Sequence, residues 1–268
     1  ASQYEPPMFD QTTPVIPYEH NERYHMTEDI ADRAINWMRL QRSSNPHRPF
    51  FAYFATGAMH CPHHVWPEWA DKFKGQFDDG WDALRERIYE RQLKLGVIPK
   101  GTVLTPRPAE IPAWSDYPDK YKPAARRLME VFAGFMAHTD AQVGRLLDAL
   151  DELGVADNTI VIYSTDNGNE MMLWPDGGYA PFRGEKGSSW EGGFRVPCLI
   201  RWPGHIAPGT ELNGIQSHED LFVTLAAAAG MPNLKAELLA GKKMGDMTYK
   251  LHLDGYNQLD YWTGKTNK

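Results

Sequence analysis

Three short stretches of the sequence hold residue types that polar catalysis uses. In Met59-His60-Cys61-Pro62-His63-His64, three imidazoles fall within five positions. Neutral imidazole is a common transition-metal ligand, yet no second ligand cluster at matching spacing accompanies them, and solvated or backbone-capping loop histidines are the plainer reading. Asp166-Asn167-Gly168 places a carboxylate beside an amide. These are hard oxygen donors suited to calcium or magnesium, although the same triplet also reads as an ordinary turn. Arg183-Gly184-Glu185-Lys186-Gly187, followed by Glu191-Gly192-Gly193, combines glycines that let backbone approach a ligand with a lysine that offers a mobile point charge to an anion. Taken alone, such a lysine is merely solvated.

The elements around these stretches would put them in one kind of place. Thr27 precedes an apolar face of Ile30, Ala34, Trp37 and Met38, with Glu28 and Asp29 in the first turn, which predicts a helix over 28–42. Phe50 to Ala55 is an uninterrupted apolar run that reads as a buried strand, and the histidine loop follows it directly. A helix is expected near 82–95, then a proline-spaced loop from Pro99 to Pro123 that is long for a connection. Pro123 opens the strongest helical pattern, with Leu128, Val131, Phe132, Phe135, Met136, Val143, Leu146, Leu147 and Leu150 along one stripe up to Gly154. Thr159 to Tyr163 predicts a strand with Asp166 and Asn167 beyond its carboxyl end, where open α/β sheets bind ligands. A glycine-rich loop from Gly177 to Gly193 leads to a second short strand over Val196 to Ile200, and Ser217 with Asp220 caps a helix ending at Gly230. This alternation argues for an α/β fold with a mostly parallel central sheet flanked by helices.

Composition limits the function classes. The chain has 268 residues, 42% hydrophobic and 24% charged, as expected for a globular domain, and 28 − 35 gives a formal charge of −7. No broad basic field offers itself to nucleic acid, and no apolar run approaches the ~18 residues of a membrane span. Cys61 and Cys198 are too few for a disulfide framework. Nine tryptophans and the loop from Gly101 to Pro123 either frame an apolar group of a ligand or belong to the core. The opening on Ala1, the extended-looking residues 1–19 with four prolines, and the polar close over Asp254 to Lys268 suggest a piece of a longer protein.

The joint order of these features resembles the sulfatase family of the alkaline phosphatase superfamily, arylsulfatases in particular. The resemblance is carried by His60 and Pro62 after an apolar run, by His138-Thr139-Asp140 with Val143-Gly144, by the strand ending in Asp166-Asn167-Gly168, and by Arg183-Gly184-Glu185-Lys186 running into Glu191-Gly192-Gly193 and Arg195-Val196-Pro197. It extends from the segment Tyr24 to Asp29 as far as Leu251 to Gly255. It implies an alkaline phosphatase-like sulfatase core, incomplete at both ends. Residues 1–268 would form a partial catalytic domain: a leading loop and helix over 1–49, a sheet core with site loops over 50–230, and the start of a carboxyl-side region over 231–268. It further implies that Asp166 and Asn167 are two of four side chains that hold a calcium ion, and that His60 and Lys186 grip the sulfate and the leaving-group oxygen of a sulfate ester.

Two family features have no match. The nucleophile there is a formylglycine made from Cys or Ser in a C/S-x-P/A-x-R motif at a helix start, and two further metal-binding aspartates lie near the amino terminus. Cys61 has Val65 where the arginine belongs, and Cys198 has Ile200 and Trp202 at the required positions. Ser44-Asn45-Pro46-His47-Arg48 fits the letters, but Pro49 and the Phe50 run follow where a helix is needed. The expectation is therefore a fragment whose formylglycine and second half of the calcium site lie in a missing amino-terminal portion of the same protein. Alone it would be inactive as a sulfuric ester hydrolase. The alternatives are a truncated module that binds anions or metal without turnover, or a phosphate or phosphonate ester hydrolase.

Overall fold

The computed structural model describes residues 2–170 and 182–266. By its contacts the chain divides into two compact units, residues 1–156 with 163–199, and 157–162 with 200–268. The first five residues of the glycine-rich loop, 177–181, lie outside the described residues.

The first unit is organised by two long helices. α1, Met26–Ser44, begins two residues earlier than the sequence suggests because His25, not Thr27, is its N-cap. Thr27 is instead buried inside the first turn, and the buried face runs through Thr27, Ala31, Ile35 and Met38. Of the expected apolar stripe only Met38 is fully buried, while Trp37 is exposed on the flank with its ring edge-on to Phe50. Glu28 and Asp29 at the amino end and Arg42 at the carboxyl end complement the helix dipole. After the short helix α2, Pro67–Ala70, α3 spans Gly80–Leu95 and ends on Gly96 in the left-handed region, φ 73°. α4, Lys122–Glu152, is 31 residues and so about 46 Å long. It packs on α1 and α2. Val65, Ala70 and Phe135 form the buried centre of that contact, with Ala58, Met59, Trp69 and Val131 around it. The core thus lies directly beneath the histidine loop.

The long loop before α4 is tied to α3 rather than loose. Trp81 Nε1 donates to the Pro112 carbonyl (3.0 Å), and Asp82 accepts from Arg107 (2.7 Å) and from the Trp114 backbone N–H (2.7 Å). Trp81 packs edge-on to both Trp114 and Tyr117. This favours the core reading of these aromatic residues over a ligand frame.

The sheet departs from expectation. Residues 50–55 are not a strand, and Phe51 and Tyr53 are 74% and 84% exposed. A parallel strand buries both faces only when neighbouring strands pair with it and helices cover it, and among the described residues none pairs with this run. Among the described residues the pairing is confined to three two-stranded sheets. β1, Met8–Asp10, and β2, Thr13–Val15, form an antiparallel hairpin. β3, Val161–Ser164, pairs with β4, Cys198–Arg201. These lie within two residues of the expected strands, but Tyr163 and Leu199 are exposed, because a lone pair of strands covers little of its own surface.

In the second unit α6, His218–Ala228, follows the short α5, Glu191–Phe194, of the first. Ser217 and Asp220 form the expected capping box at its start, where the Asp220 carboxylate accepts from the Ser217 backbone N–H at 3.1 Å. The same carboxylate, itself buried, accepts from the Tyr256 backbone N–H (2.7 Å) and Gln258 Nε2 (3.0 Å). α7, Leu234–Ala240, packs on α6 through Ala226, Leu234 and Leu238, with Tyr249 and Leu253 alongside. The antiparallel hairpin of β5, Lys242–Met244, and β6, Met247–Tyr249, and the short helix α8, Leu259–Trp262, complete the unit. Among the described residues no helix is long and apolar enough to cross a membrane.

Candidate functional site

Beyond the end of β3 the chain turns at Asp166 and Asn167. Asn167 Nδ2 donates to Asp166 Oδ2 at 2.9 Å, which fixes the amide so that its other terminal atom is the carbonyl oxygen. Asp166 is exposed and Asn167 half-buried. The next residues lock onto the Arg183–Gly193 loop through backbone. Gly168 N–H donates to the Gly193 carbonyl (2.9 Å), Lys186 N–H to the Asn169 carbonyl (2.8 Å), and Gly192 N–H to the Arg183 carbonyl (2.8 Å). The approach requires glycine. A Cβ on Gly168 would stand 1.8 Å from the Gly192 carbonyl oxygen, and one on Gly192 would stand 2.2 Å from that of Gly184.

This interlock ties Lys186 to Asn169 and Glu170, which follow the Asp166-Asn167 turn. The Lys186 ammonium, 29% exposed, lies 3.2 Å from Glu170 Oε1. Glu170 was not singled out by the sequence, since nothing in the spacing of a carboxylate three residues beyond Asn167 distinguishes it from a solvated side chain.

His60 is held by a different set of partners within the same unit. Its backbone N–H donates to the Gly57 carbonyl at 3.0 Å, and its Nδ1 donates to the Cys61 carbonyl at 2.8 Å. With the proton on Nδ1, the exposed ring presents Nε2 outward. Its neighbours turn elsewhere. His63 packs edge-on to Phe132, and its burial pushes its pKa below the ordinary value. His64 accepts the Gln3 backbone N–H at Nδ1 (3.2 Å) and stacks on Tyr4, with ring centroids 5.0 Å apart. The three imidazoles therefore do not converge, and among the described residues no group of three or more His, Cys, Asp or Glu gathers to hold a metal. Asp166 and Asn167 suit calcium in kind, being hard oxygen donors side by side, but calcium takes six to eight oxygens and these supply only part of that shell.

The nucleophile candidates also have places. Ser44 is the last residue of α1, at the negative rather than the positive end of the helix dipole. Cys198 begins β4; its residue surface is exposed, but partial desolvation of the thiol raises its pKa, which disfavours the thiolate.

The sequence profile of the family named Sulfatase matches residues 2–231. An uncharacterised sulfatase of Schizosaccharomyces pombe is 26% identical over 266 residues, covering 85% of this chain and 47% of that protein. Arylsulfatase A of Homo sapiens is 45% identical over 102 residues, which is 38% of this chain and 20% of that protein. A solved complex of another protein with its substrate, D-glucosamine-2-N,6-O-disulfate, shares the fold with a TM-score of 0.62 at 20% identity, over 97% of this chain and 56% of that one. The chain spans less than half the length of the two sequence relatives just named.

Proposed function

The chain belongs to the sulfatase family, and on that premise we propose that it supplies the charge-stabilising half of a sulfuric ester hydrolase of the arylsulfatase type. The reaction is ester cleavage by water: the sulfur–oxygen bond to the phenol or alcohol breaks, the leaving oxygen gains a proton, and sulfate is released. The observation that supports this reading is the glycine interlock, in which the Lys186 backbone N–H bonds the Asn169 carbonyl two residues beyond Asn167.

Each residue has a task that follows from its chemistry. Lysine has three N–H donors, so one directed to Glu170 leaves two for oxygens of the ester. Negative charge grows on those oxygens as the bond breaks, and a donor already in place stabilises it without reorganisation. His60 has Nε2 outward, and in its protonated form that nitrogen donates to the leaving oxygen. Asp166 Oδ and the Asn167 carbonyl oxygen would hold calcium, which when bound supplies positive charge facing the sulfate. Asp166 and Asn167 hold the turn while doing so, through their mutual hydrogen bond. The attacking oxygen is assigned to a formylglycine in an amino-terminal portion of the same protein, since neither cysteine nor Ser44 lies in the setting that a nucleophile of this family needs. Residues 1–268 alone would then be inactive.

Phenol release from an aryl sulfate tests this. The intact protein should turn over, and Lys186→Ala or His60→Ala should each lower kcat by a factor on the order of 100. Turnover by residues 1–268 alone would defeat the assignment of the nucleophile. Loss of that turnover in Ser44→Ala would restore the S-x-P-x-R match.

A further inference from the structure

We propose that His25 is a positioning residue for the loop that carries His60, acting through the bond from its Nε2–H to the His64 carbonyl; this rests on the role given to His60 above. His25 is 1% exposed and is held from both sides. Its Nδ1 accepts the Thr27 backbone N–H at 3.2 Å, capping α1, so the ring proton sits on Nε2 and is directed at the His64 carbonyl oxygen, 3.0 Å away. One imidazole thus joins the start of a helix to the far foot of a loop 39 residues later.

The other foot is tied to the same place. Thr27 Oγ1 lies 3.1 Å from Thr56 Oγ1, and Thr56 Oγ1 accepts the Ala58 backbone N–H at 3.1 Å. Gln3 bridges the two, with its backbone N–H on His64 Nδ1 and its Oε1 accepting from Thr27 Oγ1 at 3.3 Å. Between these anchors only the tip at His60 and Pro62 is exposed.

The ring has its own support. His138, fully buried on α4, lies with its ring centroid 4.3 Å from that of His25. His138 Nε2 donates to Glu28 Oε1 at 2.8 Å. Its Nδ1 is buried with no hydrogen-bond partner among the described residues. A neutral ring protonated at Nε2 leaves only a lone pair there, which costs less than a stranded N–H. Glu28 is therefore what fixes the tautomer of the ring that backs His25. The frame joins α1, α4 and the loop through groups that each have one workable arrangement.

Two substitutions separate this role from simple stability. Asparagine at 25 offers an oxygen where Nδ1 stood, so His25→Asn retains the cap but has no atom to reach His64. Glutamine offers an amide N–H at the distance of Nε2, so His25→Gln retains the tie and forfeits the cap. We expect His25→Asn in the intact protein to exchange amide hydrogens at residues 57–64 on the order of 10-fold faster. We expect its kcat on an aryl sulfate to fall on the order of 10-fold or more with KM nearly unchanged, because a displaced donor weakens the transition state. His25→Gln should recover most of kcat despite a lower melting temperature. Thr27→Val, which unties the near foot with little change of volume, gives the same exchange readout should His25→Asn not fold. Unchanged exchange in the folded His25→Asn and Thr27→Val proteins, or an equal loss of kcat in His25→Asn and His25→Gln, would overturn the proposal. A wild-type protein without sulfatase activity would refute the role of His60 and leave the exchange result to judge the tie.

Discussion

The loop carrying His60 is held at both feet by side chains, whereas the loops carrying Asp166 and Lys186 are held where backbone meets backbone at glycines. In the first case the anchors are the buried His25, Thr27 and Gln3 and the half-buried Thr56. In the second they are three N–H···O=C bonds and the absence of a Cβ at Gly168 and Gly192. The difference has consequences. A side-chain frame answers to protonation and tolerates replacements of matching shape, while a backbone interlock ignores pH and tolerates no added atom. The two halves of one proposed site should therefore fail under different insults.

The largest effect should come from Gly168→Ala. The new Cβ would have to clear a carbonyl oxygen that now stands 1.8 Å away, and the obstacle is backbone on a loop that is itself bonded back to the turn. We expect a loss of about 3 kcal/mol or more in urea unfolding, at the upper end of overpacking costs. Phenol release should fall with it, because Lys186 loses its place. An alanine variant of wild-type stability would break the contrast, since the interlock would then be a loose apposition.

Acid should distinguish the two regions next. Burial pushes the His25 pKa down to about 4 from its ordinary value of 6.5, with the His138 ring adding in the same direction and the His64 carbonyl and Glu28 opposing. A depressed folded-state value means that the unfolded chain takes up the proton first, so stability present above pH 6.5 is lost as pH falls toward about 4. At pH 5 the loss from this one group is about 2 kcal/mol. Urea titrations of wild type and His25→Asn across that interval should diverge above it and converge below. Amides of residues 57–64 should also lose protection on acidification, before those of residues 183–193. Parallel pH profiles for the two proteins would remove His25 as the origin.

How far these features could be read in advance depends on the range of the contacts behind them. β3 and β4 lie within two residues of the expected positions, so the placing of Asp166 and Asn167 just beyond a strand is a local feature that the sequence itself carries. The strand expected over Phe50–Ala55 does not form, because an apolar run becomes a buried strand only through partners elsewhere in the sheet. On α1 the buried face differs from the apolar pattern for a related reason. Thr27 is polar and Trp37 apolar, yet Thr27 is inside, because its hydroxyl has Gln3 and Thr56 to bond with, 24 and 29 residues away in sequence. His25 carried a faint signal, as an acceptor immediately before a helix start. Its tie to His64 is a pairing across 39 residues, which no spacing rule reports.

Glycines give the finest form of the same point. Gly144 and Gly168 both belong to stretches that resemble one family, and in the sequence they have equal standing. In the structure a Cβ on Gly168 meets backbone at 1.8 Å, while one on Gly144, inside α4, has nothing within 4 Å beyond the helix itself. Gly144→Ala should therefore change the sign of the effect. Alanine narrows the unfolded ensemble and is the better helix former, which stabilises by about 0.5–1 kcal/mol where the space is open. In a domain of this size that is a rise in Tm of roughly 2 °C, measurable by calorimetry beside the wild type. Phenol release should be unchanged, because α4 reaches the loop through Phe135 and His138 and not through Gly144. A destabilised Gly144→Ala protein would mean that backbone or side chain approaches α4 there as closely as it does at Gly168. The opposition between crowded and open glycines would then lose its basis.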